Sequence, residues 1–207
     1  MSENPVLDLV PVTIDGQDLT KHIREVKSKD EVLKYLEKET VVQTLKNIVQ
    51  SSTNGTRDHM FITFLWMTGV RVTEAISLKK RDINSSTNEI KVLWQKRKAY
   101  NYRTVAIPPA LTNMLGVYTS TLKADDLVFP FTRQNADLIV KRHFGDAVSS
   151  HMLRHSYAIN YLRQSNNSTD LLVLQRLLGH QNIHTTLKYL QIVPNDMHAA
   201  LKGVSFY

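Results

Sequence analysis

The stretch MFITFLWMTGV over residues 60–70 constrains the fold more than any other feature of this chain. Met60, Phe61, Ile62, Phe64, Leu65 and Trp66 fall on most sides of a 3.6-residue helix. A helix over 56–68 therefore has almost no face to offer to water, and other elements must enclose it. The run is too short for a bilayer, which takes about 20 apolar residues, so a protein core has to provide the enclosure. Gly69 follows and is suited to end the helix in the left-handed conformation that residues with a Cβ avoid. With 207 residues, 42% of them apolar, and no long Gly, Ser or Pro tract, the chain has material for one main domain around that helix.

The flanking pattern is also largely helical. Val32, Leu33 and Leu36, followed by Val41, Val42, Leu45, Ile48 and Val49, fit helical spacing with a break near Thr40. A short helix is expected through Arg71, Glu74, Ala75, Ile76 and Leu78. The period then changes to two: Ile90, Val92 and Trp94 alternate with other positions, as do Val105 and Ile107, which predicts a β-hairpin with a long basic turn. Pro108 and Pro109 end it. Helices are expected over 110–120, 134–144, 150–164, 169–178 and 183–190, with Gly179 as a stop. The predicted class is mainly α with a small antiparallel β-sheet (α+β). Residues 1–35 read as an N-terminal arm or appendage, 36–192 as the main domain and 193–207 as a C-terminal tail.

Charge and cysteine content narrow the chemistry. Lys and Arg number 26 against 19 Asp and Glu, for a net charge of +7 and a pI near 9.5, which favours a polyanionic partner, nucleic acid first. The absence of Cys excludes disulfides and thiolate chemistry, and nothing in the sequence requires a metal. The N-terminus has no basic segment leading into an apolar run, so an intracellular protein is expected.

Two segments carry candidate chemistry. HMLRH at 151–155 opens a helix after Ser149 and Ser150, both good capping types, and puts His151 and Arg154 on one face. Free backbone N–H groups, an arginine fork and an imidazole suit a phosphate; an arginine paired to a carboxylate beside a satisfied histidine is the competing explanation. In LLGHQNIHTTLKY at 177–189, Gly179 ends one helix, His180 sits on the turn, and Tyr189 follows nine positions later. Such a turn can bring imidazole and phenol to one anion, although a packed tyrosine ring beside an ordinary helix cap explains the same residues.

Together with TGVRVTE at 68–74, these segments resemble the tyrosine recombinase family, also called phage-type integrases, over roughly residues 36–192. The family's first arginine, followed three residues on by a glutamate, matches Arg71 and Glu74. Its histidine, arginine and second histidine match His151, Arg154 and His155. Its leucine-glycine-histidine element and nucleophilic tyrosine match His180 and Tyr189. The resemblance implies the tyrosine recombinase catalytic-domain fold over 36–192. It also implies a site-specific recombinase that cleaves and rejoins DNA through a covalent 3′-phosphotyrosine intermediate. In that scheme Arg71 and Arg154 neutralise the phosphate, whose charge grows during attack. His151 takes the phenol proton and His180 hydrogen-bonds the phosphate, while Glu74 and His155 support them. A hairpin lysine protonates the leaving oxygen; Lys96 or Lys98 fits, and Lys96 is favoured because one polar residue separates it from the Val92-Leu93-Trp94 strand. The phosphotyrosine conserves bond energy, so no cofactor is expected.

The resemblance further implies double-stranded DNA as partner, a homo-tetramer on paired recombination sites with accessory DNA-bending proteins, no membrane, and a cytoplasmic location on DNA. Lys79, Lys80, Arg81, Arg97, Lys98, Arg103, Lys141 and Arg142 are candidate phosphate contacts. A type IB topoisomerase or telomere resolvase would use the same tyrosine and arginines. A non-catalytic DNA-binding regulator would share the fold but has no need of a nucleophile. Most members carry a separate helical DNA-binding domain ahead of the catalytic one, and the 70 residues before Arg71 leave no room for it, so weak stand-alone binding is expected.

Overall fold

The computed structural model describes residues 13–14, 17–18, 23–27, 32–51, 54–96, 99–164 and 170–191. Strands β1 (Thr13–Ile14) and β2 (Gln17–Asp18) pair with each other, and β3 (Ile23–Lys27) pairs antiparallel with β4 (Val32–Leu36). Helices α1 (Lys38–Ser51), α2 (Gly55–Thr68) and α3 (Val72–Ile76) follow. A three-stranded antiparallel sheet comes next, in the order β5 (Ile83–Asn84), β6 (Glu89–Lys96) and β7 (Ala99–Ala106). The remainder is helical: α4 (Pro109–Tyr118), α5 (Arg133–Phe144), α6 (Ser150–Gln164), α7 (Asp170–Leu178) and α8 (His184–Leu187), which runs into a 3-10 turn at Lys188–Gln191.

Helix α2 is enclosed as its composition demands, with Phe61, Ile62 and Phe64 fully buried. Phe61 meets Phe129 and Phe131 edge-on, at centroid distances of 5.3 and 5.1 Å. Each such pair is worth about 0.5–1.5 kcal/mol beyond its burial. Gly69 closes α2 at φ 62°, its N–H bonded to the Leu65 carbonyl at 3.0 Å. A Cβ there would lie 2.3 Å from the Tyr157 ring on α6, so close packing as well as backbone conformation calls for glycine.

Four expectations are corrected. Residues 32–36 form a strand, not the start of a helix. Leu33 and Tyr35 point inward while Lys34 turns out to pair with Glu25 across the hairpin at 2.6 Å. A short apolar run fits either period, and pairing with β3 decides it. The chain therefore has three small sheets among its described residues rather than one, and β4 is tied to α6 by the Leu36 N–H donating to Ser156 Oγ at 2.7 Å. The β6–β7 hairpin has no long turn: the ladder continues through polar residues to Lys96 paired with Ala99, leaving only positions 97 and 98 between the strands. A two-stranded ribbon with a solvated face does not need apolar residues to extend. Last, the helix expected over 183–190 divides after Leu187, and Tyr189 lies in the tighter 3-10 turn. Arg97, Lys98 and the tail at 193–207 fall outside the described residues.

Beside the main core, a second one joins β4, α6 and α7 through Leu33, Tyr35, Ile159, Leu162, Leu174 and Leu178, and Tyr189 packs in it. No helix among the described residues is long and apolar enough to cross a membrane.

Candidate active site

The ends of three helices converge at one place. Where α2 stops, Gly69 exposes a carbonyl that continues no helical ladder, and Arg71 follows as the residue preceding α3. Glu74, one turn into α3 and 2% exposed, accepts the Arg71 backbone N–H at 2.8 Å and its guanidinium at 3.3 Å. Arg71 keeps about a third of its side chain in solvent, at 35% exposure.

Helix α6 opens with the Met152 N–H bonded to Ser149 Oγ at 3.4 Å, and its first two turns carry His151, Arg154 and His155. Arg154 is 3% exposed and spans two helix ends, donating to Gly69 O at 2.6 Å and to Leu178 O at 2.7 Å. Helix C-termini present unpaired carbonyls and a partial negative charge, which suits a buried cation. These two bonds engage two of the five N–H donors of a guanidinium.

Helix α7 ends at Gly179, φ 66°. The turn beyond it is pinned by the His180 N–H on Gln175 O and by Gln175 Nε2 on His180 O, both at 3.0 Å. His180 Nδ1 lies 2.9 Å from the hydroxyl of the fully buried Thr186. Tyr189 is only 1% exposed; its ring stacks 6.4 Å from that of His180, and its hydroxyl lies 2.9 Å from His155 Nδ1. His151 stands a turn earlier, its ring 5.5 Å from that of His155.

Arg71, Glu74, His151, Arg154, His155, His180 and Tyr189 thus gather at one site, in an arrangement that differs in two respects from sequence expectation. His155, expected only to support, is the imidazole against the phenol. Arg154, expected to turn its fork to a phosphate, also braces the backbone. Thr186 went unrecognised, since a hydroxyl six residues after His180 belongs to no motif. For Lys96 the structure gives the backbone, at the end of β6.

Positive charge dominates the site. Burial first, then the guanidiniums of Arg154 and Arg71, push His180 down to about 3, and burial with the same cations lowers His151. Both rings are therefore neutral at neutral pH, and His180 is a weak base suited to hydrogen bonding and not to holding a proton. Burial, with Arg71 as the leading like charge, lowers Arg154 to about 10, which leaves it a cation. The depressed His180 value carries a stability consequence. The unfolded chain binds a proton there near pH 6.5 and the folded chain does not, so the contribution is present above about pH 6.5 and lost as pH falls from there toward 3. His180→Gln is expected to show a smaller drop in urea midpoint between pH 7 and pH 5 than the parent protein; equal drops would contradict this.

The outlying basic residues divide. Arg103, expected to reach a DNA phosphate, turns inward and donates to Glu74 and to Leu177 O. Lys80 is likewise engaged, its ammonium on the Leu122 carbonyl at 2.7 Å. Lys79 and Arg81 pair with Asp125, and Arg142 pairs with Asp58 at 3.1 Å. These are partly exposed pairs that a polyanion can compete for. Lys141 is exposed on α5.

The profile of the phage integrase family matches residues 34–195. Tyrosine recombinase XerD of Staphylococcus haemolyticus is 27% identical over 195 residues, 86% of this chain and 64% of that protein. Tyrosine recombinase XerC of Staphylococcus aureus is 28% identical over 198 residues, 87% and 65% of the two chains. The chain spans just under two thirds of the length of these relatives. Among solved structures, XerA recombinase aligns at a TM-score of 0.61 and 26% identity, over 81% of this chain and 62% of that one. The catalytic domain of bacteriophage HP1 integrase aligns at 0.62 and 23%, over 83% and 95%. The XerH site-specific recombinase bound to its difH substrate aligns at 0.60 and 25%, over 75% and 49%. With the family profile covering most of its length and its fold that of an integrase catalytic domain, this chain belongs to the phage integrase family.

Proposed function

We propose that this chain cuts and rejoins double-stranded DNA as a site-specific recombinase, with Tyr189 as nucleophile. The observation that carries the reading is the Tyr189 hydroxyl held 2.9 Å from an imidazole in a site where Arg71 and Arg154 converge and Glu74 is the nearby carboxylate. A buried cluster with surplus positive charge beside a phenol is suited to a phosphodiester.

In the forward step the Tyr189 oxygen attacks phosphorus, the bond from phosphorus to the 5′ oxygen breaks, and a 3′-phosphotyrosine forms. The phenol proton passes to His155, with His151 a turn behind it. The departing 5′ oxygen takes a proton from the hairpin lysine, for which Lys96 remains the better candidate than Lys98. Arg71, the more exposed guanidinium, marks the side from which the phosphate enters, and Arg154 meets it from within. Rejoining reverses each transfer: a 5′ hydroxyl attacks the phosphotyrosine and Tyr189 recovers its proton. Assembly as a homo-tetramer on paired sites, and help from DNA-bending proteins, belong to the same reading. The XerH complex with difH supports DNA as the partner.

The test is capture of the intermediate. The protein is incubated with nicked suicide duplexes of randomised sequence, in which the cleaved strand loses its short 5′-hydroxyl fragment. A covalent complex should survive denaturing electrophoresis, with the nucleotide mapped by mass spectrometry to the peptide containing Tyr189. A retained duplex without any covalent complex would point instead to a DNA-binding regulator.

A further inference from the structure

Arg103 connects parts of the site that are far apart in sequence. It lies on β7 opposite Val92 of β6, four residues before Lys96 along that strand. Its side chain is 14% exposed. One terminal nitrogen donates to Glu74 Oε2 at 3.0 Å, the carboxylate that also holds the Arg71 backbone and guanidinium. The other donates at 2.6 Å to the carbonyl of Leu177, next to the Leu178 carbonyl that Arg154 holds. The chain then turns through Gly179 into His180. A Cβ on Gly179 would stand 2.6 Å from Arg103 Nε, so the glycine also makes room for this guanidinium.

The two acceptors are met by the two terminal nitrogens of one planar fork, a span that the single ammonium nitrogen of lysine lacks. Resting on the strand-transfer reading above, we infer that Arg103 is a positioning residue. It locks the β6–β7 hairpin to Glu74 and to the end of α7, so that Arg71, His180 and the lysine-bearing strand keep a fixed relation. Arg103 acts through Arg71 and the His180 turn and does not touch the phosphate.

The experiment compares the parent protein, Arg103→Met and Arg103→Lys on a suicide duplex captured as above. Duplex affinity and the single-turnover rate of adduct formation are measured separately. Misplacing the site by about 1 Å should slow attack by Arg103→Met about a hundredfold, with affinity within about threefold of the parent. Arg103→Lys should recover part of the rate. Adding Glu74→Gln to Arg103→Met should cost much less than Glu74→Gln alone, because both act through Arg71. Attack at the parental rate by both Arg103 variants would overturn the inference. So would a loss of affinity as large as the loss of rate, which would make Arg103 a phosphate contact. Should Arg103→Met fail to fold, Arg103→Lys decides: slower attack at retained affinity supports the inference, and parental attack overturns it. A parent protein that forms no adduct on any duplex overturns the strand-transfer reading itself, and this inference with it.

Discussion

Tyr189→Phe is expected to lose the covalent DNA complex entirely, a fall of at least about ten-thousandfold, while remaining folded and able to hold duplex. The two effects separate because the ring and the hydroxyl of Tyr189 have different tasks. The ring is a core element, packed with Ala158, Ile159, Leu162, Leu174 and Leu178, and phenylalanine keeps that contact. The hydroxyl meets His155 Nδ1; losing one such hydrogen bond costs about 1 kcal/mol, or about 2–4 °C in Tm for a domain of this size. Affinity should hold, since the substitution removes one hydroxyl and leaves the guanidiniums untouched. Denaturing electrophoresis, a thermal melt and a duplex titration on the same preparation check all three. An adduct that persists in Tyr189→Phe would move the nucleophile to another residue and remove the basis for the proposed mechanism.

Short-range features of this molecule are plain in its sequence, and long-range contacts are not. Helix α2 and the segments around Arg71, Arg154, His180 and Tyr189 are legible because each depends on residues close together in the chain: all-round apolarity, a glycine stop, an arginine three residues after a histidine. Strand β4 is not, because five residues with apolar positions at 32, 33 and 36 satisfy both periods and only the pairing with β3 selects one. The inward turn of Arg103 is illegible for a different reason. A basic residue in a basic hairpin looks like a phosphate contact, and its real partners are a glutamate 29 residues away and a carbonyl 74 residues away. Backbone carbonyls leave no trace in composition. The same holds for His155, whose contact with Tyr189 spans 34 residues, and for the carbonyl partners of Arg154. What sequence reading misses here is the bracing between segments, the carbonyls and the carboxylate that hold these side chains at one place.

Under the proposed function Arg154 has a second role beside its bracing of two helix ends, and its replacement should reveal the two separately. Arg154→Met keeps most of the aliphatic stem but leaves Gly69 O and Leu178 O, at the ends of α2 and α7, without their buried donor. Each orphaned carbonyl costs about 1–3 kcal/mol. Opposing this, a buried cation repelled by Arg71 disappears, and with it the strain that lowers Arg154 to about 10. The net expectation is a stability loss of about 2 kcal/mol, visible as a lower urea midpoint. Strand attack should suffer much more, by about a thousandfold or beyond, because neutralisation of the phosphate in the transition state is lost with the charge. Arg154→Lys distinguishes charge from geometry. Its single ammonium can serve one carbonyl and stay cationic, so stability should lie between those of the other two proteins, while attack should remain far below that of the parent for want of the fork. Rates taken at low temperature, where all three proteins are folded, remove stability as a cause. If the Arg154→Met rate then returns to within about threefold of the parent, Arg154 only braces the helix ends, and the phosphate has to be held by Arg71 and His180 without it.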